Sequence, residues 1–416
     1  MTPQIKQRIE QIRCGEVPEG YTKIKDGVFP SDWTNKKMKQ WISLEERPII
    51  LQDEEDYELV TVRRAYGGVD SRGIHQGKDI LVKTYFEVEE DNFIISKRQI
   101  AHGACGLVPS KLHGAVVSNE YNVFKANQGT NIHFFNLMMQ LPHYKRLFYL
   151  MSDGVHIEKL LFKTGDWMKR SLAMPPLDEQ KKIAEILAAQ DKLIALKEKL
   201  IEEKKRQKKA LMQQLLTGKK RLPGFSSEWV DVKLGDVFAE RVETNCQDLE
   251  LLSVTGTNGV VPRSTIETKD NSSEDKSKYL KICKGDIGYN TMRMWQGVSA
   301  LSEYEGIVSP AYTILIPSSE ISAKYFSYLF KMHAVIFLFY RFSQGIVDDT
   351  RSLKYYEFAK LHPTVPSDKK EQEAIADILT VADKEIEILK KDLDQEKQKK
   401  KALMQLLLMG IVRIGV

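Results

Sequence analysis

A long segment that occurs twice constrains this chain more than any other feature of its sequence. Residues 179–221 read EQKKIAEILAAQDKLIALKEKLIEEKKRQKKALMQQLLTGKKR, and residues 371–413 read EQEAIADILTVADKEIEILKKDLDQEKQKKKALMQLLLMGIVR. The two segments align without a gap at an offset of 192 residues (371 − 179 = 192), and about half of the aligned positions are identical. A repeat of this length predicts an architecture in which each structural unit occurs twice.

Apolar residues recur in both copies at alternating steps of four and three residues. This spacing keeps one apolar seam on one face of a helix when two helices wrap around each other, so it predicts a coiled coil. A helix of about forty residues, rising 1.5 Å per residue, is a rod of roughly 60 Å. The predicted seam consists of Ile183, Leu187, Ile194, Ile201, Leu211 and Leu215 in the first copy and of Ile375, Leu379, Ala382, Ile386, Leu389, Leu393, Leu403 and Leu407 in the second. The first copy also places four polar residues on the seam, Gln190, Lys197, Lys204 and Lys208.

Both segments carry helix start and stop signals. A proline and an aspartate precede each helix, and a glycine, Gly218 or Gly410, stands where a C-terminal cap belongs. Because residues 366–370 (PSDKK) differ from residues 175–178 (PPLD), the second helix is expected to begin differently. Antiparallel pairing of the two helices inside one chain is the favoured interpretation. Two unrelated surface helices, or a helix that forms a homodimer, are the alternatives.

Composition excludes several classes of protein. A chain of 416 residues with 42% hydrophobic content is long enough for two or three globular domains. A net charge of +5 and a pI near 8.7 permit nucleic-acid binding without requiring it. The sequence shows no signal peptide and no apolar run of about 18 residues, so no membrane span is predicted. The cysteines lack metal-ligand spacing and are typical of reduced thiols in a cytoplasmic protein; they are Cys14, Cys105, Cys246 and Cys283.

The repeat divides the chain into globular and helical parts. The predicted order is a short N-terminal helix and linker (1–33), a globular domain (34–174), a helix (175–222), a second globular domain (223–364) and a second helix (365–416). The N-terminal segment resembles the end of a long helix without its body: GEVPEGY at 15–21 resembles GKKRLPGF at 218–225, and Trp33 corresponds to Trp229. The N-terminal segment is therefore expected near the end of the second helix.

The second globular domain is predicted to be a distant copy of the first. At an offset of 191 residues VSPAY (308–312) matches VSNEY (117–121), Gly297 matches Gly106, and Gly345 matches Gly154. Short apolar runs bounded by turns predict strands, and longer runs predict helices. The predicted strands are 59–62, 80–88, 92–96, 115–118 and 251–254, and the predicted helices are 4–13, 132–140 and 144–151. The expected fold class is α+β: two mixed domains joined by an antiparallel helix pair, with a pseudo-two-fold internal repeat.

Signatures of catalysis are missing from the sequence. It contains neither a G-x-x-x-x-G-K-[ST] loop nor G-x-G-x-x-G, and the glycines of HGACG (102–106) are expected to form a turn. Pro175-Pro176 does not belong to the Asp/Asn-Pro-Pro-Tyr/Phe loop of amino-methyltransferases, and the eight histidines have no metal-ligand spacing. The chain is therefore expected to recognise or to scaffold, with no cofactor of its own.

Polar and basic loops on both globular domains suggest contact with DNA. Arg pairs with guanine, and Asn or Gln pairs with adenine, through two hydrogen bonds to a base edge. Lys and Arg on flanking loops fix a protein on the phosphates. The candidate DNA-binding residues are Arg63, Arg64, Arg72, His75, Lys78, Lys97 and Arg98 in the first domain and Asn290, Arg293, Trp295 and Gln296 in the second. The alternative is solvated loop charge with Trp295 in a core. The lysine-rich runs at 204–209 and 397–401 are interpreted as solvated helix faces.

The plan of the chain resembles the specificity subunit of Type I restriction–modification systems. The resemblance covers nearly the whole chain and rests on the two E-Q-x-x-I-A-x-I-L starts at Glu179 and Glu371 and on the two K-A-L-M-Q ends. LPGF at 222–225 before Trp229, and SNEY (118–121) with SPAY (309–312), also fit the family. The family implies that each globular domain is a target-recognition domain for one half of a split double-stranded DNA sequence. It also implies that the paired helices dock two methyltransferase subunits, which carry S-adenosylmethionine, and that a restriction subunit joins them.

Two other interpretations remain open from the sequence. One is a coiled-coil scaffold that binds proteins through its globular ends and has no DNA specificity. The other is the specificity subunit of a methyltransferase complex without a nuclease, since a nuclease would be a separate chain. Divergent loops on a repeated framework favour a variable DNA target over the scaffold.

Overall fold

The computed structural model describes residues 2–25, 27–154, 156, 160–256, 258–267, 272–347 and 350–414. The chain forms two compact units. Unit 1 comprises Met1–Lys197 and Asp392–Val416, and unit 2 comprises Glu198–Lys391. Each unit therefore contains one globular domain together with one end of each long helix, whereas the sequence-based division separates domains from helices.

Among the described residues, eleven α-helices and twenty-five strands are formed. The helices are α1 (Pro3–Arg13), α2 (Met38–Trp41), α3 (Ile132–Met139), α4 (Pro142–Leu150), α5 (Thr164–Trp167), α6 (Leu177–Leu215), α7 (Leu234–Val237), α8 (Ala323–Leu329), α9 (His333–Phe342), α10 (Tyr355–Phe358) and α11 (Lys369–Leu408). The strands of unit 1 are β1 (Tyr21–Ile24), β2 (Gly27–Pro30), β3 (Thr34–Lys37), β4 (Ile42–Leu44), β5 (Pro48–Ile50), β6 (Asp56–Val62), β7 (Val69–Gln76), β8 (Thr84–Glu87), β9 (Phe93–Ser96), β10 (Cys105–Leu107), β11 (Val116–Val117), β12 (Tyr121–Ala126), β13 (Ser152–Asp153), β14 (Leu161–Phe162) and β15 (Ser171–Met174). The strands of unit 2 are β16 (Trp229–Asp231), β17 (Phe238–Glu240), β18 (Leu252–Thr255), β19 (Gly259–Pro262), β20 (Leu280–Ile282), β21 (Ile287–Asn290), β22 (Ser299–Leu301), β23 (Gly306–Val308), β24 (Tyr312–Pro317) and β25 (Thr364–Pro366).

The two long helices begin at equivalent residues. Helix α6 starts at Leu177 and α11 at Lys369, which are 192 residues apart (369 − 177 = 192). The position of the start is therefore shared, whereas the cap differs: the Asp368 side chain accepts from Lys370 N–H at 2.8 Å, and Pro176 stands at the equivalent position before α6. A shared glutamine explains the agreement: Gln180 donates to the Pro175 carbonyl at 2.8 Å, and Gln372 donates to the Pro366 carbonyl at 2.9 Å. Both helices end before a glycine with positive φ, 67° at Gly218 and 66° at Gly410.

Helices α6 and α11 pair in antiparallel fashion in each unit, as predicted. In unit 1 Gln190 donates to Glu396 Oε2 at 2.7 Å, and Lys197 forms an ion pair with Asp392. In unit 2 Lys204 and Lys208 pair with Glu385 and Asp383, each at 2.5 Å. The polar seam residues of α6 thus face acids of α11. This arrangement favours α6–α11 pairing over α6–α6 pairing, which would bring lysines together.

The apolar seam residues lie in the cores. Ile183, Leu187 and Leu407 belong to the main core of unit 1, and Leu215, Ile375 and Leu379 belong to that of unit 2. The buried seam residues are Ile183, Leu187, Ile201, Leu215, Ile375, Leu379, Ile386, Leu393 and Leu407, and the half-buried ones are Ile194, Leu211, Ala382, Leu389 and Leu403.

The two globular domains share their sheet topology. Domain 1 has a four-stranded sheet in the order β10-β9-β12-β4, and domain 2 has the equivalent order β22-β21-β24-β17. The second sheet of domain 1 has five strands, β5-β8-β11-β6-β7, whereas domain 2 retains the hairpin β18-β19 and the pair β20-β23, linked by the bridge Leu251↔Ile307. The repeat predicted from sequence is therefore a repeat of fold.

One predicted strand is shorter in the structure. The sequence predicts a strand over 80–88, but only Thr84–Glu87 pairs, and Gly77–Asp79 forms a 3-10 turn. Gly77 allows a close approach here, because a Cβ on it would lie 1.9 Å from the carbonyl oxygen of Gln52. Lys83 closes the same loop by binding the Gly77 carbonyl at 2.6 Å. This tertiary packing outweighs the strand preference of the apolar run.

Two paired strands close each domain beside its long helices. In domain 1, β15 pairs with β3, so that Met174 lies opposite Thr34. In domain 2, β25 pairs with β16, so that Pro366 lies opposite Trp229. The first and last strands of each domain are therefore neighbours, so the chain enters and exits the domain at the same place beside the long helices.

The N-terminal segment lies beside the end of α11, as the sequence predicts. The Tyr21 hydroxyl donates to the Gly410 carbonyl at 2.6 Å, and Arg8 donates to the Ile411 carbonyl at 2.5 Å. Arg413 completes this region by binding Asp32 at 2.7 Å and Glu179 at 2.8 Å.

All four cysteines are unpaired. Within the described ranges, no helix is long and apolar enough to cross a membrane. The same part of the chain contains no group of three or more His, Cys, Asp or Glu side chains that could hold a metal ion.

Candidate nucleic-acid interface

A short turn at the end of a central strand has the same backbone in both domains. We name Ser96–Gly103, which follows β9, strand-end turn 1, and Asn290–Gly297, which follows β21, strand-end turn 2. Each contains a 3-10 turn that ends at a left-handed glycine, with φ of 76° in turn 1 and 79° in turn 2. The glycine N–H donates three residues back at 2.7 Å in both.

This geometry corrects the sequence alignment in two respects. Gly297 corresponds to Gly103, not to Gly106, and turn 2 has a counterpart in domain 1 although the sequence shows no close match. The offset is 194 residues at the turns (297 − 103 = 194) and 191 at the next shared strand (312 − 121 = 191). The chain between β22 and β24 is three residues shorter than that between β10 and β12, and an alignment without gaps misses this.

Each strand-end turn packs on a helix and faces a hairpin. A Cβ on Gly297 would lie 2.7 Å from Ile336 of α9, and turn 1 lies against α4 in the same way. In domain 1 the tip of the β6–β7 hairpin binds the turn, because Tyr66 N–H donates to the Gly103 carbonyl at 2.9 Å. Burial of the Tyr66 hydroxyl raises the pKa of Tyr66 above its ordinary value, so this side chain is uncharged at neutral pH.

The structure brings four of the predicted residues of domain 1 together. Lys97 and Arg98 lie on turn 1, and Arg63 and Arg64 lie on the adjoining hairpin tip. Arg98 binds Glu120 at 2.7 Å and Arg63 binds Asp70 at 2.8 Å, both at exposed positions. Exposed pairs of this kind contribute at most about 1 kcal/mol, so phosphate groups could replace the acids.

The other predicted residues of domain 1 lie on β7, away from the turn. Arg72 occupies a β-bulge, since Leu59 pairs with Gly73 and Val60 pairs with Ser71. His75 lies six residues along the hairpin from the Arg63 end, about 20 Å at the rise of a strand. Lys78 lies beside an acidic segment, residues 53–56, and its N–H donates to the Asp53 carbonyl at 3.1 Å. These acids oppose the approach of a phosphate to Lys78.

The four predicted residues of domain 2 all lie on turn 2. Asn290 Oδ1 accepts from Met292 N–H at 3.0 Å, and the Asn290 side chain also forms a hydrogen bond with Tyr312. Trp295 is half-buried rather than in the core, and its Nε1 donates to the Met292 carbonyl at 2.9 Å. Arg293 is half-buried and Gln296 is exposed.

An aromatic and basic cluster beside turn 2 was missed by the sequence interpretation. Tyr340 meets Trp295 edge to face at 6.1 Å between ring centroids, and the Arg351 guanidinium lies 4.2 Å from the Tyr340 ring centroid. Arg351 also donates to the Tyr340 hydroxyl at 3.1 Å. The one sequence signal available was the match of Tyr340 with Tyr149 at the offset of 191 residues.

Comparison with known proteins assigns the chain to a family. The family model "Type I restriction modification DNA specificity domain" matches residues 30–206 and again residues 226–397. The MjaX type I restriction enzyme specificity subunit of Methanocaldococcus jannaschii is 22% identical to this chain over 434 residues. The aligned region covers 95% of this chain and 97% of that protein.

Solved structures agree with this assignment at the level of fold. The S subunit of a type I restriction–modification system from M. genitalium has a TM-score of 0.54 at 15% identity, covering 90% of this chain and 96% of that one. A chain from work on complex assembly and conformational transition of the type I R-M system has a TM-score of 0.55 at 15% identity, covering 92% and 99%. The chain therefore belongs to the type I restriction–modification DNA specificity family, as a specificity subunit with two target-recognition domains.

Proposed function

We propose that each strand-end turn reads one half of a bipartite double-stranded DNA target. The observation that carries this proposal is one backbone turn, repeated in both domains, that displays different side chains. Equivalent positions hold Arg98 and Met292, and likewise His102 and Gln296. A fixed backbone with exchanged side chains suits recognition of different base pairs by the same docking geometry.

Within domain 2 we assign base reading to Asn290, Arg293 and Gln296, and phosphate or sugar contact to the flanking cluster around Arg351. In domain 1 we assign base reading and phosphate or sugar contact to strand-end turn 1, residues 96–103, and to the adjoining hairpin tip, residues 63–68. Arg72, His75 and Lys78 are proposed as peripheral phosphate contacts, with Lys78 the weakest because of its acidic neighbours. The chain itself is proposed to be non-catalytic.

Exchange of one domain tests the half-site proposal. Replacement of residues 34–174 by the equivalent segment of another family member should change one half of the methylated sequence and leave the other half unchanged. The segment begins and ends on the paired strands β3 and β15, so the exchange preserves its closure. The readout is the methylated sequence produced with the methyltransferase subunits and S-adenosylmethionine.

The reciprocal exchange of residues 223–364 is the matched control and should change only the opposite half. The chain alone should transfer no methyl groups. A change in both halves, or in neither, would contradict independent reading by the two domains.

We further propose that the long helices dock two methyltransferase subunits on a second apolar stripe. In unit 1 the exposed stripe on α6 comprises Ile186, Ala189, Leu193 and Leu196, at steps of three and four residues. In unit 2 the stripe on α11 comprises Ile378, Val381 and Ile388, and Ile378 and Ile388 are equivalent to Ile186 and Leu196 at the offset of 192 residues. Both stripes lie roughly 100° around the helix from the buried seam. Exposed apolar stripes of this kind suit a partner helix, and two equivalent stripes suit two partners.

Charge introduced on one stripe tests the docking proposal. Leu196→Asp and Ile388→Asp are each expected to reduce the complex from two methyltransferase subunits to one, because each places a carboxylate in an apolar contact. Native mass spectrometry of the assembled complex measures the stoichiometry. Ala195→Asp, on the opposite exposed face of α6, should retain both subunits. Retention of two subunits by both stripe variants would contradict docking at these stripes.

A restriction subunit as a further partner remains a prediction from the resemblance, and a cytoplasmic location remains a prediction from the cysteine spacing. The comparisons give no support to a scaffold without DNA specificity.

A further inference from the structure

A lysine in domain 2 holds the end of strand-end turn 2. The Lys331 ammonium donates to the Gly297 carbonyl at 2.7 Å and also to the carbonyl of Ser299. These carbonyls belong to the left-handed glycine that ends the turn and to the first residue of β22. Lys331 lies two residues after the last residue of α8, and its N–H donates to the Tyr328 carbonyl at 3.0 Å, so its backbone is fixed by the helix end.

In domain 1, among the residues that the structure describes, an uncharged side chain stands at this place. Gln140 occupies the equivalent position after α3, because its N–H donates to the Leu137 carbonyl as that of Lys331 does to Tyr328 (331 − 140 = 191). The two turns therefore share a backbone but differ in the group that supports them. This difference provides an internal control, since a change at residue 331 should affect one domain only.

We infer that Lys331 is a positioning residue, which fixes the end of strand-end turn 2 and thereby sets base discrimination in the half-site that domain 2 reads. The inference rests on the proposed function of the turn. Two hydrogen bonds from a charged donor are about twice as strong as neutral ones, so they limit the displacement of Arg293 and Gln296 relative to the sheet. Base reading through two hydrogen bonds requires such fixed placement.

The ammonium lies in a charged cleft whose groups come from three elements. Lys208 of α6, and Asp383, Glu387 and Lys390 of α11, line the cleft with Tyr328 of α8. Asp383 is already bound by Lys208 at 2.5 Å and by the Tyr328 hydroxyl at 2.8 Å. Burial, together with the charge of Lys208, lowers the pKa of Lys331 to about 8.

The lowered pKa predicts a change of discrimination with pH. Above pH 8 the neutral amine keeps two N–H donors but loses its charge, so both hydrogen bonds to the carbonyls weaken. The free energy of unfolding does not fall as these two hydrogen bonds weaken. The unfolded chain binds the Lys331 proton up to about pH 10.4, so between the two pKa values deprotonation of this group favours the folded state.

The test uses the full complex with methyltransferase subunits and measures binding to the cognate duplex and to single-base variants of each half-site. Lys331→Met is expected to lose about tenfold or more of its discrimination in the domain 2 half-site at pH 7 and less than about twofold in the other, since a lost bidentate contact has this effect. Lys331→Gln, which introduces the residue of domain 1, should behave similarly, and Lys331→Arg should restore part of the loss. Lys324→Met, which removes an exposed ion pair between Lys324 of α8 and Asp377 of α11, should leave both half-sites unchanged.

Wild-type discrimination in the domain 2 half-site should fall as the pH rises through 8, whereas that of Lys331→Met should stay constant. Unchanged discrimination in Lys331→Met, or an equal loss in both half-sites, would overturn the inference. The domain exchange identifies the half-site of domain 2 independently, so failure of the half-site proposal is distinguished from failure of this one. Thermal melting of each variant establishes that it is folded.

Discussion

Replacement of Leu379 by Asp is expected to destabilise the helix pair of unit 2 by about 4 kcal/mol or more, because it puts an unpaired carboxylate into an apolar core. Leu379 is fully buried in that core with Leu215, Ile375 and Phe326. Leu379→Ala, which leaves a cavity without a charge, is expected to cost less, about 2–5 kcal/mol. A larger loss of stability in Leu379→Asp than in Leu379→Ala would separate the effect of the buried charge from the effect of the cavity.

Hydrogen exchange along α11, compared with urea unfolding, measures the destabilisation. The two units need not unfold together, so a probe within unit 2 is more informative than a single midpoint. Val381→Asp, two residues away and 67% exposed, is the matched control and should change stability by less than about 0.5 kcal/mol. Equal effects at 379 and 381 would contradict the antiparallel seam.

Loss of the Arg221 guanidinium should leave a buried charge without its partner. Glu371 is 0% exposed, and Arg221 binds it through Nε at 2.7 Å and Nη2 at 2.8 Å. Breaking a buried pair typically costs 3–5 kcal/mol, and the low end, about 3 kcal/mol, is expected here because Arg221 is one-third exposed. The variant Arg221→Met is measured by the same probes of unit 2.

A second substitution distinguishes the charge from the packing of Arg221. In Arg221→Met/Glu371→Gln the buried carboxylate is absent, so a large part of the lost stability should return. Arg206→Met removes an exposed pair with Glu203 on the same helix and should cost less than about 1 kcal/mol. If the double variant is no more stable than Arg221→Met, the buried charge is not the cause.

The same pair occurs in unit 1, where Arg413 binds the buried Glu179. Arg413 and Arg221 are 192 residues apart, as are Glu179 and Glu371. Hydrogen bonds from the two arginines to these acids explain why both copies of the repeat begin with a glutamate and end with an arginine.

The helical architecture was readable from the sequence because helix periodicity is local. The steps of four and three residues from Ile375 to Leu393 specify one face of a helix without any distant contact. The similarity of the two repeats then favoured pairing of the two helices with each other, and the acids of α11 opposite the lysines of α6 agree with that pairing. Family membership followed from the same repeated segments.

The strand-end turns were decided by tertiary structure. Gly297 corresponds to Gly103 because β9 and β21 each pair with the strand that follows the turn and with one later strand, and those pairings place the turn in the sheet. The connection after β22 is three residues shorter than the connection after β10, which changes the sequence offset between the domains while the strand order stays the same. Sequence could name Arg293 and Trp295 as candidates, yet could not find their equivalents.

The repeat, the paired helices and the class of protein were predicted from the sequence, since each follows from residue identity and spacing within two matching segments. The tertiary structure alone decided which side chains share a surface. Tyr340, Arg351 and Lys331 reach strand-end turn 2 from other elements, while acids beside Lys78 reduce its suitability for phosphate. Contacts of this kind join residues far apart in the chain, and no local pattern encodes them.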